Sequence, residues 1–454
     1  MQIPFGTASY QHRSLPVSAQ RMVNYYLEKA PPQAKSTVDC VPAYGVESWA
    51  TPGTGPIRGG LVVNERVYVV SGDSLYQINQ VGDSTELGTI PGLGHVFMAA
   101  DETNVMLVTG GSGYYWNGSA LATITDTDFP DAAFVVVMDG YFIVSDGTYF
   151  YVSANRNPAS WNALDFASAE KYPDDILTGV VDHGELILLG RESGQAFYNS
   201  GNADFPLDAV ASGNWEIGAM SVRSVTKSDN GVFFVGNDGL VYRLNGYTPQ
   251  RVSTHAVEQW IEDAEDKEFT CLSWVEAGHK FVSVSSSSGC FVYDASTDLW
   301  HERASYGYNA WRRKFAFKAF NRWIVGDPTS NKVGMLSADT YTEWGDILRG
   351  AITSPPVSQD NRRLVHNRLE LVFEHGVGNS AHADPEVMLR WSDDGGRTWS
   401  NEHTRSLGPV GEYKTRTVWN RLGVARDRVY EASISDAVRR TLILATAEVT
   451  VRGY

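Results

Sequence analysis

The chain has 454 residues and a mass of 49.9 kDa, with 43% hydrophobic and 20% charged residues. Composition of this kind excludes a disordered chain, which lacks the apolar surface to offset its ordering entropy. Lys+Arg number 37 and Asp+Glu 53, a net charge of −16, which argues against a protein that grips nucleic acid over its whole surface. No apolar run approaches 18 residues, so no membrane span is expected. Met1–Tyr10 has no basic segment followed by an apolar core, so no secretory signal is expected either. The 43 glycines and 12% aromatic residues point to a turn-rich β protein.

Residues 1–50 fit no repeat and carry the Pro31-Pro32 pair, so they read as an extended N-terminal arm. Its Tyr25, Tyr26, Tyr44 and Trp49 have no local core to enter. They are expected to dock on the C-terminal domain, adding strands to its sandwich, or on a neighbouring subunit.

Residues 51–345 repeat. Short β-rich runs end in small or turn residues: Val67–Val70, Val105–Val108, Tyr141–Val144, Leu186–Leu189, Val232–Val235, Phe281–Val284 and Trp323–Val325. The run ends fall at 70, 108, 144, 189, 235, 284 and 325, a mean spacing of 42.5 residues. A strand-like segment with a tyrosine follows six of them: Tyr76, Tyr115, Tyr151, Tyr198, Tyr242 and Tyr293. The seventh has Met335-Leu336 there instead. The first unit divides into four strands, Ile57–Val63, Val67–Val70, Leu75–Ile78 and Thr85–Ile90. A period near 40–50 residues with several short strands per unit predicts a β-propeller of six or seven blades. No unit matches the W-D or kelch pattern. The one helical stripe, Thr254–Lys267, is expected to be a surface insertion capped by Ser253 or Thr254.

Residues 346–454 alternate differently. Arg368–Phe373, Val387–Trp391, Arg428–Ile434 and Leu442–Val451 predict a C-terminal β-sandwich. Charge changes at the same boundary: this part holds 15 Lys+Arg and 14 Asp+Glu, net +1, leaving 22 and 39, net −17, before it.

Candidate chemistry is sparse. The ten histidines form no metal-ligating pattern, and Cys40, Cys271 and Cys290 have no C-x-x-C spacing, so metal, cofactor and catalytic residues are all expected to be none. Gly110-Gly111-Ser112-Gly113 and Thr51–Gly55 open no helix and read as turns, as does Asn117-Gly118-Ser119. One motif stands out. Ser392, Asp394, Gly396, Thr398 and Trp399 form S-x-D-x-G-x-T-W, which resembles the Asp-box hairpin. There the Ser and Asp side chains bond the turn's own backbone, Gly supplies a positive φ, and Trp staples the turn. Sialidases carry such boxes on propeller blades, so a propeller glycosidase or glycan-binding protein is the alternative reading, and a glycosidase needs a pair of opposed carboxylates.

Other segments resemble one family along nearly the whole chain. Arg21–Glu28, Ala50–Gly53 with Gly55–Gly59, Arg251–Glu258, and the stretch Trp391–Arg440 are similar to packaged DNA stabilisation proteins of short-tailed bacteriophages. That resemblance implies a structural tail hub, or nozzle, in the virion tail, assembled in the host cytoplasm. It implies a hexameric ring below a portal adaptor protein, a tail needle or plug and receptor-binding tail proteins as partners, and genomic DNA passing through the lumen without specific binding. An acidic lumen would repel phosphates and let DNA move, whereas a basic one would hold it.

Overall fold

The computed structural model describes residues 2–169, 174–202 and 204–452. Seven blades close a β-propeller. The first five are four consecutive antiparallel strands each, as in Ile57–Val63, Arg66–Ser71, Ser74–Ile78 and Ser84–Thr89. Inner strands pack in ring order: Ile57–Val63, Phe97–Ala100, Val135–Met138, Ile176–Asp182, Val225–Ser228, Thr270–Glu276 and Ala316–Ala319, the last returning to the first.

The repeating run in the sequence is the second strand of each blade. Neighbouring blades cover both its faces, so it reads as a continuous apolar run and not as an alternation. In Val105–Thr109 and Gly231–Val235 every residue is buried. The tyrosine-bearing segment is the third strand. Two-residue turns join first to second strands in six blades, for example Asn64-Glu65 (φ 49° and 57°) and Asp229-Asn230 (φ 46° and 58°). Positive φ at both positions is the turn whose twist matches a hairpin.

Blade seven is built differently. Ala316–Ala319, Arg322–Gly326 and Val333–Ser337 are completed by Gly45–Ala50 from the arm, antiparallel to the third. Blade six, Thr270–Glu276 to Leu299–Glu302, also continues beyond its fourth strand. Val23 pairs with Glu302 on one side, and Met22 and Val23 pair with Ile352 and Ala351 on the other. One sheet therefore runs from the propeller through Met22–Val23 and Gly350–Thr353 to Asp427–Ile434, Glu386–Ser392 and His403–Ser406 of the sandwich. The facing sheet holds Tyr25–Lys29, Val38–Pro42, Leu442–Val451, Leu364–Phe373 and Thr417–Asn420. Leu369, Leu371, Val387, Leu389, Trp419 and Tyr430 fill the space between them, with Tyr25 and Leu27 of the arm. All of the arm's strands are thus paired within their own chain.

Among the described residues the single α-helix is His255–Asp263, shorter than its apolar stripe and placed between blades five and six. Thr254 is its N-cap residue but makes no side-chain capping bond; the Ser253 hydroxyl instead accepts the Val241 N–H and donates to Glu258. The three cysteines are free and buried. No described helix is long and apolar enough to cross a membrane.

Candidate functional site

The Asp-box hairpin follows the strand Glu386–Ser392 of the sandwich. The buried Ser392 Oγ accepts the Gly396 N–H at 2.7 Å and donates to Asp394 Oδ1 at 2.7 Å. Asp394 in turn accepts the Arg397 and Thr398 N–H groups at 2.9 Å and the Thr398 hydroxyl at 2.6 Å. The Thr398 hydroxyl and N–H hold its carboxyl well below the usual carboxylate range. Gly395 and Gly396 take φ of 77° and 96°. Trp399 is half-buried, with the Arg390 guanidinium 4.7 Å above its ring, and stands outside the sandwich core. The five residues are therefore brought together, and both carboxylate oxygens of Asp394 accept hydrogen bonds from the turn itself.

The hairpin also seats the arm. A Cβ on Gly395 would lie 2.8–2.9 Å from the backbone of Pro16, and one on Gly396 3.1 Å from Ala19. Beside it, Asp393 takes two bonds from Arg428, at 2.6 and 2.7 Å. Arg428 is itself buried, 5.3 Å from the Trp391 ring. Neither residue stands out in the sequence, where a non-local Asp–Arg pair has no local signature.

Where arm, blades and sandwich meet, the chain turns at Asn24, a non-glycine residue at φ 58°. Its side-chain amide donates to the Ala304 and Arg349 carbonyls, both at 2.8 Å, and its Oδ1 accepts the Ala304 N–H at 3.1 Å. These bonds hold the strained corner that sends one segment into both sheets. Arg21 next to it binds Glu302 of blade six.

Two buried ion pairs lie beside the closing strand, between blades six and seven. Arg303 meets Glu276 at 3.0 Å and Arg313 meets Glu343 at 2.8 Å, all four side chains at 1% exposure or less. Indoles separate and partner them. Trp274 Nε1 donates to Glu276 and Trp311 Nε1 to Glu343, while Arg313 lies 4.4 Å from the Trp311 ring and 4.6 Å from that of Trp344. The Tyr44 N–H, just before the closing strand, donates to Glu276 at 3.2 Å. Charged residues at this spacing look like a solvated face in the sequence, so they escape detection there.

The outer surface of this junction is open. A groove of about 570 Å³ runs between His12, Arg13, Trp260, Phe291 and Tyr308, and a neighbouring one of about 270 Å³ is lined by Arg21, Arg349, Arg390 and Tyr306. Tyr306 and Tyr308 are 58% and 48% exposed. Exposed aromatics and arginines are the residue types that protein partners favour. The seven inner strands carry only Arg58, Asp182, Lys227, Glu276 and Lys318 as charged residues, so the acidic surplus lies on outer strands and loops. Among the described residues no group of three or more His, Cys, Asp or Glu side chains is placed to hold a metal.

Two family models match the chain. One, described as bacteriophage P22 Gp10, beta-propeller, covers residues 1–341, and the other, bacteriophage P22 Gp10, beta-sandwich, covers residues 351–451. No curated protein matches. Among solved structures, the computationally designed Ika8 protein is 14% identical at a TM-score of 0.40, over 71% of this chain and 98% of its own. YCF48 from Cyanidioschyzon merolae is 10% identical at 0.43, over 64% of this chain and 98% of its own. The extracellular domain of the BT4673 system from B. thetaiotaomicron is 10% identical at 0.45, over 91% of this chain and 61% of its own. Likenesses this weak add nothing about the present chain.

Proposed function

Because the chain belongs to the bacteriophage P22 Gp10 family through both its β-propeller and its β-sandwich, we propose that this phage structural protein is the tail hub, or nozzle, of a short-tailed virion. Six copies form a ring in the tail, below a portal adaptor, that retains packaged DNA and conducts it during ejection. A needle or plug closes the ring, receptor-binding tail proteins attach around it, and it carries out no catalysis. Assembly takes place in the host cytoplasm before the ring joins the virion.

The observation that carries this reading is the arm. It is threaded through blade six, both sandwich sheets and blade seven, so propeller and sandwich form a continuous hydrogen-bonded unit. A ring that withstands packaged DNA has to transmit load between its domains, and a shared sheet does so without relying on a flexible linker. Acid displaced from the inner strands to loops and outer strands is available to flank a lumen formed between subunits, where it keeps phosphates from binding. The near-neutral, Arg-rich sandwich and the Tyr306–Tyr308 groove supply protein contacts.

The glycosidase or glycan-binding alternative drew on the Asp box, and that hairpin's carboxylate is committed to its own backbone. The test is assembly with portal and adaptor, followed by sedimentation and electron microscopy. A six-fold ring under the adaptor that binds duplex DNA weakly at low salt is expected. A chain that stays off the adaptor, or binds duplex tightly with a steep salt slope, contradicts the proposal.

A further inference from the structure

One end of the propeller's axial tunnel gathers positive charge that its own acids leave unpaired. The linkers that enter the inner strands meet there and bond across blades: Val96 N–H to the Arg58 carbonyl at 3.1 Å, Cys271 N–H to the Arg223 carbonyl at 2.8 Å, and Ile57 N–H to the Asp327 carbonyl at 3.2 Å. Lys314, which leads into the inner strand of blade seven, is fixed by its own N–H donating to the Gly326 carbonyl at 2.9 Å. Backbone position is therefore set before any side chain is placed.

Lys314 and Arg223 line one cavity of about 450 Å³, with Thr270 and the hydroxyl-rich turn at Ser285–Ser287. Two other cations on that wall are neutralised. Arg313 has Glu343, and Arg312 has Asp327 at 3.4 Å and Asp346 at 3.0 Å. Of the cavity's acids, Asp266 accepts the Ser287 hydroxyl, and Glu268 faces Arg223 without closing an ion pair. Among the described residues, Lys314 Nζ and the Arg223 guanidinium have no hydrogen-bond or ion-pair partner. Burial and the charges of Arg223 and Arg58 push the Lys314 amine down to about 8. Burial, with Lys314 and Arg223 next, holds His95 of the same end far below an ordinary imidazole. Two partly buried cations near enough to repel, with hydroxyls beside them, are what an anion needs and what a folded chain otherwise avoids.

We propose that this cavity binds a small oxyanion of the phosphate or polycarboxylate class between Lys314 and Arg223, beside the Thr270 hydroxyl. The anion neutralises the converging charge of blades five and seven and ties their linkers together at the tunnel mouth, beside the first residue of blade six's inner strand. The cavity shares Tyr308 with the groove assigned to protein contacts, but Lys314 and Arg223 lie outside that groove and the inference does not depend on the hub reading.

The full chain is titrated with sodium phosphate, pyrophosphate and citrate, each against sodium chloride of equal ionic strength, following melting temperature and heat of binding. Pyrophosphate and citrate should raise the melting temperature above the chloride control. Lys314→Gln and Arg223→Gln should each weaken binding about tenfold, the loss of one charge-assisted contact. In chloride alone, Lys314→Gln should melt no lower than the wild type, because the substitution removes repulsion. If one variant folds poorly, the other carries the comparison. Wild-type protein that gains nothing over chloride from any of the three anions, or variants that bind as tightly as the wild type, overturns the site.

Discussion

Blades one to five and the junction of blades six and seven bury strands of the same kind, yet they are held by different interactions. In the first five, cohesion is mainly aliphatic and aromatic: Val67, Val69, Leu107, Phe142, Leu188 and Phe234 sit between blades, and the buried Arg58 there is satisfied by backbone carbonyls and Thr109, not by an ion pair. At the junction, Arg303, Glu276, Arg313 and Glu343 are as deeply buried, among Trp274, Trp311 and Trp344. The first arrangement needs only neighbouring hairpins. The second needs a strand from residues 45–50 to find a partner near residue 335; both ion pairs lie outside that strand, and a misplaced arm takes away the Tyr44 N–H that Glu276 accepts and the Val46 side chain packed in the same cluster. Buried polar groups used as a specificity device cost stability, and their removal is the way to show it.

The largest effect is therefore expected at Glu343. Glu343→Gln leaves Arg313 buried without its counter-charge and should cost about 3–5 kcal/mol in urea unfolding. Replacing both partners, Arg313→Met with Glu343→Leu, should lose far less. If the double variant is as unstable as the single one, the pair stabilises outright and the contrast with the aliphatic blades fails.

That contrast also explains what the sequence allowed. Second strands were legible because both faces are covered, and the tyrosine-bearing third strands because they recur at a fixed step. The closing strand was hidden because it is a solvated outer strand, with Glu47 and Ser48 exposed in the middle of Gly45–Ala50. Met22–Val23 is two residues long, below any periodicity. The bonds of the Asp box were legible, since they span only two to four residues, but Trp399, expected to staple the turn, stands outside the core, and the Asp393–Arg428 pair spans 35. Sequence reasoning sees local bonds and symmetric burial; it misses charges whose partners come from far along the chain.

A second expectation concerns pH in the sandwich. His366 is buried and its Nδ1 is 2.7 Å from the Tyr430 hydroxyl. Burial first, and then the Arg428 charge, push its imidazole down to about 4. The folded form thus binds a proton less readily than the unfolded form, whose imidazole titrates near 6.5. Stability contributed by the neutral ring is complete above that value and falls as pH drops from about 6.5 towards 4, by roughly 3 kcal/mol in all. His366→Gln should flatten that part of the pH–stability curve. A variant whose acid limb matches the wild type assigns the slope to other groups.

The smallest effect is expected at the Asp box, and it distinguishes a turn that merely folds from one that also seats the arm. Ser392→Ala removes the acceptor of the Gly396 N–H and the donor to Asp394, at a cost of about 1–2 kcal/mol. Asp394 keeps its bonds to Arg397 and Thr398, so the hairpin persists but its glycine corner loosens. That corner touches Pro16 and Ala19, while the arm's deeper strands are anchored elsewhere by Asn24 and Met22. Limited proteolysis of Ser392→Ala should therefore cut first within residues 12–18 and leave both domains intact. A variant that loses the sandwich as a whole would make the hairpin part of the folding core. A variant that leaves segment 12–18 as protected as in the wild type would mean that the arm is held there by its own two-stranded pairing, Tyr10–Gln11 with Ala19–Gln20, and owes nothing to the box.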